Sequence, residues 1–532
     1  MLGVGQAFPK FHLKATVGLD KETAFESISN ESYPGKWKVI FFWPRDMRIG
    51  LFFIATLLGG QVIQVERMKA DLVALSTREM NGRVALEPGA AKAAQWIADE
   101  FLKAGLRPGG DGKYLQEFML KVPIGDPALS SVEYQSAKLG FTGTFPEAVD
   151  LQAGLVFAGY GITAPEYGYD DYRGIDAQGK IVVMLEREPQ EADAKSVFLG
   201  RGLTKHAAPR AKRLNAQLHG AVGVLVIPSP KSTTAPAASD RTPWRGGAAT
   251  MFDDQLRIPM LTLTKAAAGQ LVPDYEQRQN RIDLAARPAS GELVGQVAIR
   301  LRNKSVQTGA TWNVIGVLPG ESKDVVLLTS HYDHLPARGA NYYPGANDNG
   351  SGTVGVMELA RAFATAKKRP RKTLVFIAFG AEEEGLLGAY HYVAHPWFPL
   401  KDTKAVINLD MIGRDEAHTP QTEGRVAVAA DTHNHLNLLG GAYFPKLLKE
   451  VRRANAKVGL ELDEKYDHDS TQNALYRCDH FPFLLAQVPD IWFFGGWHPG
   501  YHEPSDTVDK INWPKMERVV RLAYLTAERM GR

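Results

Sequence analysis

Four nearly continuous apolar runs mark the carboxyl-terminal half of this 532-residue chain. They are residues 325–330 (Val-Val-Leu-Leu-Thr-Ser), 373–379 (Thr-Leu-Val-Phe-Ile-Ala-Phe), 405–409 (Ala-Val-Ile-Asn-Leu) and 491–494 (Ile-Trp-Phe-Phe). Such runs lack the alternation of a half-exposed strand and suit strands buried on both faces of an α/β sheet. Helical patterns lie between and after them, over 352–366, 386–393, 443–456 and 514–530. Upstream, residues 65–118 read as helix, loop, helix, strand. Ala94, Ile97, Phe101 and Leu102 stand at helical spacing, and Gly105 with Pro108-Gly109-Gly110 ends that helix. The middle of the chain differs. Residues 155–161, 179–185 and 223–227 read as strands, 212–219 as a helix, and 258–264 close the segment. Residues 228–249, rich in Pro, Ser, Thr, Ala and Gly, read as an exposed loop. No internal repeat is visible.

Length and composition narrow the possibilities. The chain exceeds one ordinary core, so two or three domains are expected. Hydrophobic content of 44% and charged content of 23% are those of a soluble globular protein. A net charge of +3, from 62 basic and 59 acidic residues with no clustered basic stripe, argues against nucleic acid as a partner. The single cysteine, Cys478, excludes intramolecular disulfides and a cysteine-built zinc site. Near the amino terminus, Arg45 and Arg48 flank the start of an apolar run within residues 47–64, too short to span a bilayer as a helix. Its charge and length are those of a signal-peptide core, which places the chain in the periplasm or outside the cell if translation starts near Met47. Residues 1–46, with Phe8-Pro-Lys-Phe-His-Leu-Lys-Ala-Thr16 and Gly35-Lys-Trp-Lys-Val-Ile-Phe-Phe-Trp-Pro-Arg-Asp46, resemble the opening of a peroxiredoxin. The cysteine of that family is missing here, so no peroxidase activity is expected.

The polar residues that end the apolar runs carry the chemistry. His331 and Asp410 directly follow two of them. Glu382 and Glu383 follow a third after Gly380-Ala381, and Tyr501 and His502 follow the fourth through Gly495-Gly-Trp-His-Pro-Gly500. Asp348 lies in Gly345-Ala-Asn-Asp-Asn-Gly-Ser-Gly352. In open α/β sheets, ligands gather beyond the carboxyl ends of strands, so these segments deliver imidazoles and carboxylates to one edge. Two imidazoles and three carboxylates, His331, Asp348, Glu383, Asp410 and His502, can hold two zinc ions when one carboxylate bridges them. Singly, each has a plainer explanation: a structural histidine, a solvated Glu382-Glu383-Glu384 turn, an Asn-Asp-Asn-Gly turn, a helix cap at Asp410, an aromatic-rich loop. Their convergence on one sheet edge points to a hydrolase.

This motif set, together with residues 65–118, resembles the di-zinc aminopeptidases with co-catalytic metals. Residues 119–288 resemble their inserted protease-associated domain, on Gly159-Tyr-Gly161, Tyr169-Asp-Asp-Tyr-Arg-Gly174, Gly179-Lys-Ile-Val182 and His219-Gly-Ala-Val-Gly223. The resemblance implies an α/β three-layer sandwich with a mixed, mostly parallel central sheet, plus an inserted β-rich domain. The peptidase domain would comprise residues 65–118 and 289–532. It further implies His331 and Asp410 on one zinc, Glu383 and His502 on the other, and Asp348 bridging. Glu382 would be the general base, Asp333 would orient the His331 imidazole, and Tyr501 would hydrogen-bond the oxyanion. A cis peptide after Asp348 belongs to the same pattern, and the implied activity is removal of amino-terminal residues from peptides. Cys478-Asp479-His480 stands where the family has Ser-Asp-His, and Cys478 reads as a buried structural thiol. His334, His480 and His498 lie near the motifs without an assigned role. Tyr342, Tyr343, Trp492, Phe493 and Trp497 would wall the specificity pocket, with the core as the alternative for Trp492 and Phe493.

Rival readings are few. Gly350-Ser-Gly-Thr-Val-Gly355 fits a dinucleotide-binding pattern but follows a polar loop rather than a strand. A carboxypeptidase or dipeptidase on the same fold, and a non-catalytic receptor-like ectodomain, remain as alternatives. His331 argues against a one-zinc glutaminyl cyclase. Oligomeric state is not set by any pattern in the chain.

Overall fold

The computed structural model describes residues 12–16, 25–29, 63–110, 112–228, 249–419, 426–469 and 472–532. Residues 1–62 and 63–532 form separate compact units. In the first, strands His12–Thr16 and Phe25–Ser29 pair antiparallel. The rest of the peroxiredoxin-like stretch, residues 47–62 of the signal-like segment and most of the 228–249 loop lie outside the described residues. Among the described residues, no helix is long and apolar enough to cross a membrane.

The second unit is organised by two sheets. Among the described residues, the larger has nine strands. Its centre is parallel: Lys372–Phe379, Ser322–His331, Thr403–Asp410 and Asp490–Phe494 lie side by side in that order. Antiparallel strands flank this centre, Asn303–Leu318 and Leu115–Gly125 on one side and His435–Leu439 on the other. Alternation of side chains along each strand feeds two apolar layers. Val326, Leu328, Leu374, Phe376 and Ala378 pack under helices Val65–Leu75, Pro88–Lys103, Gly352–Ala364 and Trp513–Met530. Their strand neighbours Val325, Leu327, Val375, Ile377 and Phe379 pack on the opposite face with Ala389, Tyr392 and Phe483. Both faces are dry, which is why these strands read as unbroken apolar runs, and the result is the expected three-layer sandwich.

The smaller sheet has eight strands, with a parallel centre of Val149–Phe157, Ile181–Leu185, Gly223–Ile227 and Met260–Leu263. The chain passes between sheets at different points from the boundaries expected at 118/119 and 288/289. Strand Leu115–Gly125 runs to its end in the large sheet, paired with Asn303–Leu318. Strand Gly291–Leu301 belongs to the small sheet, paired with Val149–Phe157 and Ser131–Tyr134. The physical reason is that an apolar pattern reports which face of a strand is buried, not which neighbour it pairs with.

Candidate metal centre

The parallel strands deliver the site. His331 and Asp410 are the last residues of neighbouring strands. Glu382 and Glu383 follow the strand on the other side of His331, through Gly380 and Ala381, the latter at φ 59°. Helix Leu387–Ala394 then packs close to this turn: a Cβ on Gly388 would stand 2.3 Å from the Gly380 carbonyl oxygen, so only glycine fits. Asp348 sits in the irregular turn before helix Gly352–Ala364, and its peptide bond to Asn349 is cis. Its backbone N–H and that of Asn347 donate to Asp506 Oδ2 at 3.0 and 2.9 Å.

Asp348 faces two ways. Its Oδ1 lies 3.5 Å from His331 Nε2, which is 3.6 Å from Asp410 Oδ1. Its Oδ2 lies 3.1 Å from His502 Nε2, which is 3.3 Å from Glu383 Oε2. For bonds of about 2.1 Å to a tetrahedral zinc ion, neighbouring ligand atoms stand about 3.4 Å apart. The side chains therefore fit two adjoining sites that share one carboxylate. Asp410 Oδ1 is buried with no hydrogen-bond partner among the described residues, as expected of an atom kept for a cation. Buried carboxylates so close together are costly without positive charge between them.

Electrostatics separates the adjacent glutamates. Burial, reinforced by Glu383, Asp479 and Asp410, pushes the Glu382 carboxyl well above its usual range, although His331 pulls it down. Burial also opposes ionisation of Glu383, yet His502 and His334 hold it well below the usual range. Burial disfavours charge on His331 too, but Glu382 and Asp410 overturn that and raise it. His502 is likewise raised, to about 10, by Glu383 and Asp348 against burial. The two adjacent glutamates are thus shifted in opposite directions by their surroundings.

Asp333 contacts His331 through its backbone carbonyl as well as its carboxylate. His331 Nδ1 is 3.1 Å from the Asp333 backbone carbonyl and 3.7 Å from its Oδ1. The carboxylate also accepts the backbone N–H groups of Glu382 and Glu383 at 3.0 and 3.1 Å, fixing the turn that aims both glutamates. Tyr501 stacks on the His502 ring, with centroids 3.8 Å apart, and its hydroxyl lies 3.4 Å from an Arg477 nitrogen. All of these except Asp333 line a cleft of about 1670 Å³ that reaches residues 139–146 of the small-sheet region. Of the five aromatic residues singled out, Trp492 and Trp497 line this cleft. Phe493 packs in the core, while Tyr342 and Tyr343 lie against Arg78 and Arg338.

Comparison with known proteins accounts for this arrangement. Residues 313–527 match the profile of peptidase family M28. The chain is 31% identical to aminopeptidase YwaD of Bacillus subtilis over 236 residues, 42% of this chain and 46% of that one. It is 29% identical to leucine aminopeptidase 2 of Arthroderma otae over 269 residues, 46% and 50% of the two chains. The match thus spans about half the length of these curated relatives. Among solved structures, an aminopeptidase from Aneurinibacillus sp. strain AM-1 shares the fold, with a TM-score of 0.50 at 22% identity. That likeness covers 88% of this chain and 95% of that one.

Several residues around this ligand cluster carry no role in the sequence reading. His334 Nδ1 lies 2.9 Å from Glu383 Oε1 and 3.8 Å from Asp348 Oδ2, so Glu383 divides its two oxygens between His334 and His502. The string His331-Tyr-Asp-His334 contains the signal, but the distance depends on how the following loop folds back. Arg83, fully buried, donates to the carbonyls of Tyr332, Leu75, Pro344 and Gly345 and so ties the strand end at His331 to the turn at Asp348. Cys478 is buried as expected. Its thiol donates to Asp410 Oδ2 and accepts from Asn408 Nδ2, both at 2.9 Å.

Proposed function

We propose that this chain is a two-zinc aminopeptidase. The observation that carries the reading is Asp348, whose two oxygens face separate His-carboxylate pairs, with Glu382 beside the His331-Asp410 pair. His331 and Asp410 would hold one ion, Glu383 and His502 the other, with Asp348 shared. Bound zinc would supply Lewis acidity and acidify water at the site. Glu382, 3.8 Å from His331 Nε2, takes the proton of the attacking water and returns it to the departing amine. Its raised pKa matches it to that task. Asp333 holds the Glu382 backbone in place, and Tyr501, on the cleft wall, donates its hydroxyl to the developing oxyanion. The small-sheet region, which lines the far side of the cleft, acts as a protease-associated domain that limits the size of the peptide admitted.

Names of relatives favour the amino end of the substrate. Arg338 and Arg477 line the same cleft, and they give a dipeptidase or carboxypeptidase reading a specific basis, since either can receive a carboxylate. Hydrolysis of peptides with free and with acetylated amino termini separates the two, measured before and after chelation. Free peptides are expected to be cleaved and blocked ones spared, with activity lost on chelation and regained with zinc. Preference for blocked peptides would overturn the aminopeptidase reading, and activity that survives complete metal removal would overturn the mechanism.

A further inference from the structure

A second group of metal-ligand side chains lies outside the cleft cluster. His391 is in helix Leu387–Ala394, and His395, four residues later, is its C-cap. That spacing places both rings on one side of the helix end. Asp253 comes from the segment after the short strand Thr250–Met251, where the chain returns to the edge of the large sheet. The three side chains offer ligand atoms within 4.8 Å of one another. His395 Nε2 is 2.6 Å and His391 Nδ1 3.8 Å from the same oxygen, Asp253 Oδ2.

The site is built rather than incidental. His391 is only 8% exposed and stacks on Phe118, with centroids 4.8 Å apart and an angle of 17° between the planes. Its Nδ1 is buried with no hydrogen-bond partner among the described residues and faces Asp253. Burial pushes its pKa down to about 4, which keeps the ring in the neutral form that binds metals. His395 is fixed from behind, its carbonyl accepting a hydrogen bond from Gln116 Nε2 at 2.8 Å. About half of each of the His395 and Asp253 side chains is exposed, leaving a solvent-facing position for a further ligand.

We propose that Asp253, His391 and His395 bind a transition-metal ion, zinc in the first instance, that clasps the returning segment of the small-sheet region to the helix following the Glu382-Glu383-Glu384 turn. Two imidazoles and a carboxylate suit zinc and its neighbours, whereas calcium and magnesium favour all-oxygen shells. The same junction carries a second brace: Arg210 pairs with Asp254 through both guanidinium nitrogens and lies over the Tyr390 ring at 4.2 Å. A metal at Asp253 would lock a contact that the fold already makes.

The test is a difference in metal content. The full chain and its His395→Gln and Asp253→Asn variants are stripped with chelator, reloaded with zinc, desalted, and assayed for zinc per chain. Each variant is expected to hold one ion fewer than the unaltered chain, however many the cleft retains. Equal contents in all three proteins would overturn the proposal. In a second measurement, cobalt is added to chain whose cleft has first been filled with zinc. A ligand-field band is expected in the unaltered chain and not in His395→Gln. No band in the unaltered chain, or the same band in both, would also overturn it.

Discussion

The carboxyl ends of the two parallel sheets both carry buried carboxylates, yet they use them in opposite ways. At the small sheet, Asp171 accepts hydrogen bonds from the Tyr160 and Ile162 backbone N–H groups and from the Tyr169 hydroxyl. Glu188 accepts from the backbone N–H and the hydroxyl of Thr204. These carboxylates brace loops. At the large sheet, Asp348, Glu383 and Asp410 face imidazoles at 2.9–3.8 Å. Among the described residues, Asp410 Oδ1 and both oxygens of Asp479 have no hydrogen-bond partner. A buried carboxylate surrounded by donors is a finished structural element. A group of them pointed at imidazoles is unfinished until cations arrive.

That contrast can be broken by substitution. The largest effect is expected from Asp348→Ala, which removes the ligand proposed to be shared: bound zinc should fall below one ion per chain at the cleft and turnover should disappear. Metal content near that of the unaltered chain would remove Asp348 from its bridging place. Next, Glu382→Ala should keep its zinc and lose roughly 10²–10⁴-fold in turnover, the usual share of a general base. Full activity, or loss of metal with activity, would reassign Glu382.

At the small sheet the pattern should reverse. Asp171→Ala strands two backbone donors and a hydroxyl, so it should cost the fold about 1–3 kcal/mol for each group left unsatisfied, with zinc content unchanged. Thermal or denaturant unfolding with metal analysis reads both. The pH dependence has a definite sign. Burial raises the Asp171 carboxyl to about 7 from an unfolded value near 4, although its three donors and Lys212 pull it down. A proton is therefore held more tightly in the folded chain, and this group's contribution to stability declines as pH rises from about 4 through about 7. Relative to Asp171→Asn, which does not titrate, the unaltered chain should lose stability over that window; a gain would contradict the assignment. The smallest effect is expected from Cys478→Ser. The hydroxyl can replace the thiol between Asp410 and Asn408, so stability should change by about 1 kcal/mol or less and zinc should be retained.

Legibility in the sequence follows the same physics. Strands Ser322–His331, Thr403–Asp410 and Lys372–Phe379 were readable because both their faces are dry, and their ends marked His331, Asp410 and the glutamate pair. Gly291–Leu301 pairs in the small sheet, although its alternating pattern suits a partner in either sheet. The carboxylate of Asp333, besides lying near His331, accepts from backbone groups about fifty residues on, a contact made by tertiary folding alone. His334 was visible as a histidine near the motif, but its approach to Glu383 exists only once two strand ends lie side by side. The Asp253-His391-His395 group unites a helix end with a loop more than a hundred residues earlier and left no local signature.

The central claim is that Asp348 joins two zinc sites and leaves Glu382 outside both. Zinc-edge anomalous diffraction from crystals of the zinc-loaded chain tests this most directly. Two peaks are expected in the cleft, one bonded to His331 and Asp410 and the other to Glu383 and His502, each touching a different oxygen of Asp348. A single peak there, or a peak bonded to Glu382 in place of one of these ligands, would contradict the account.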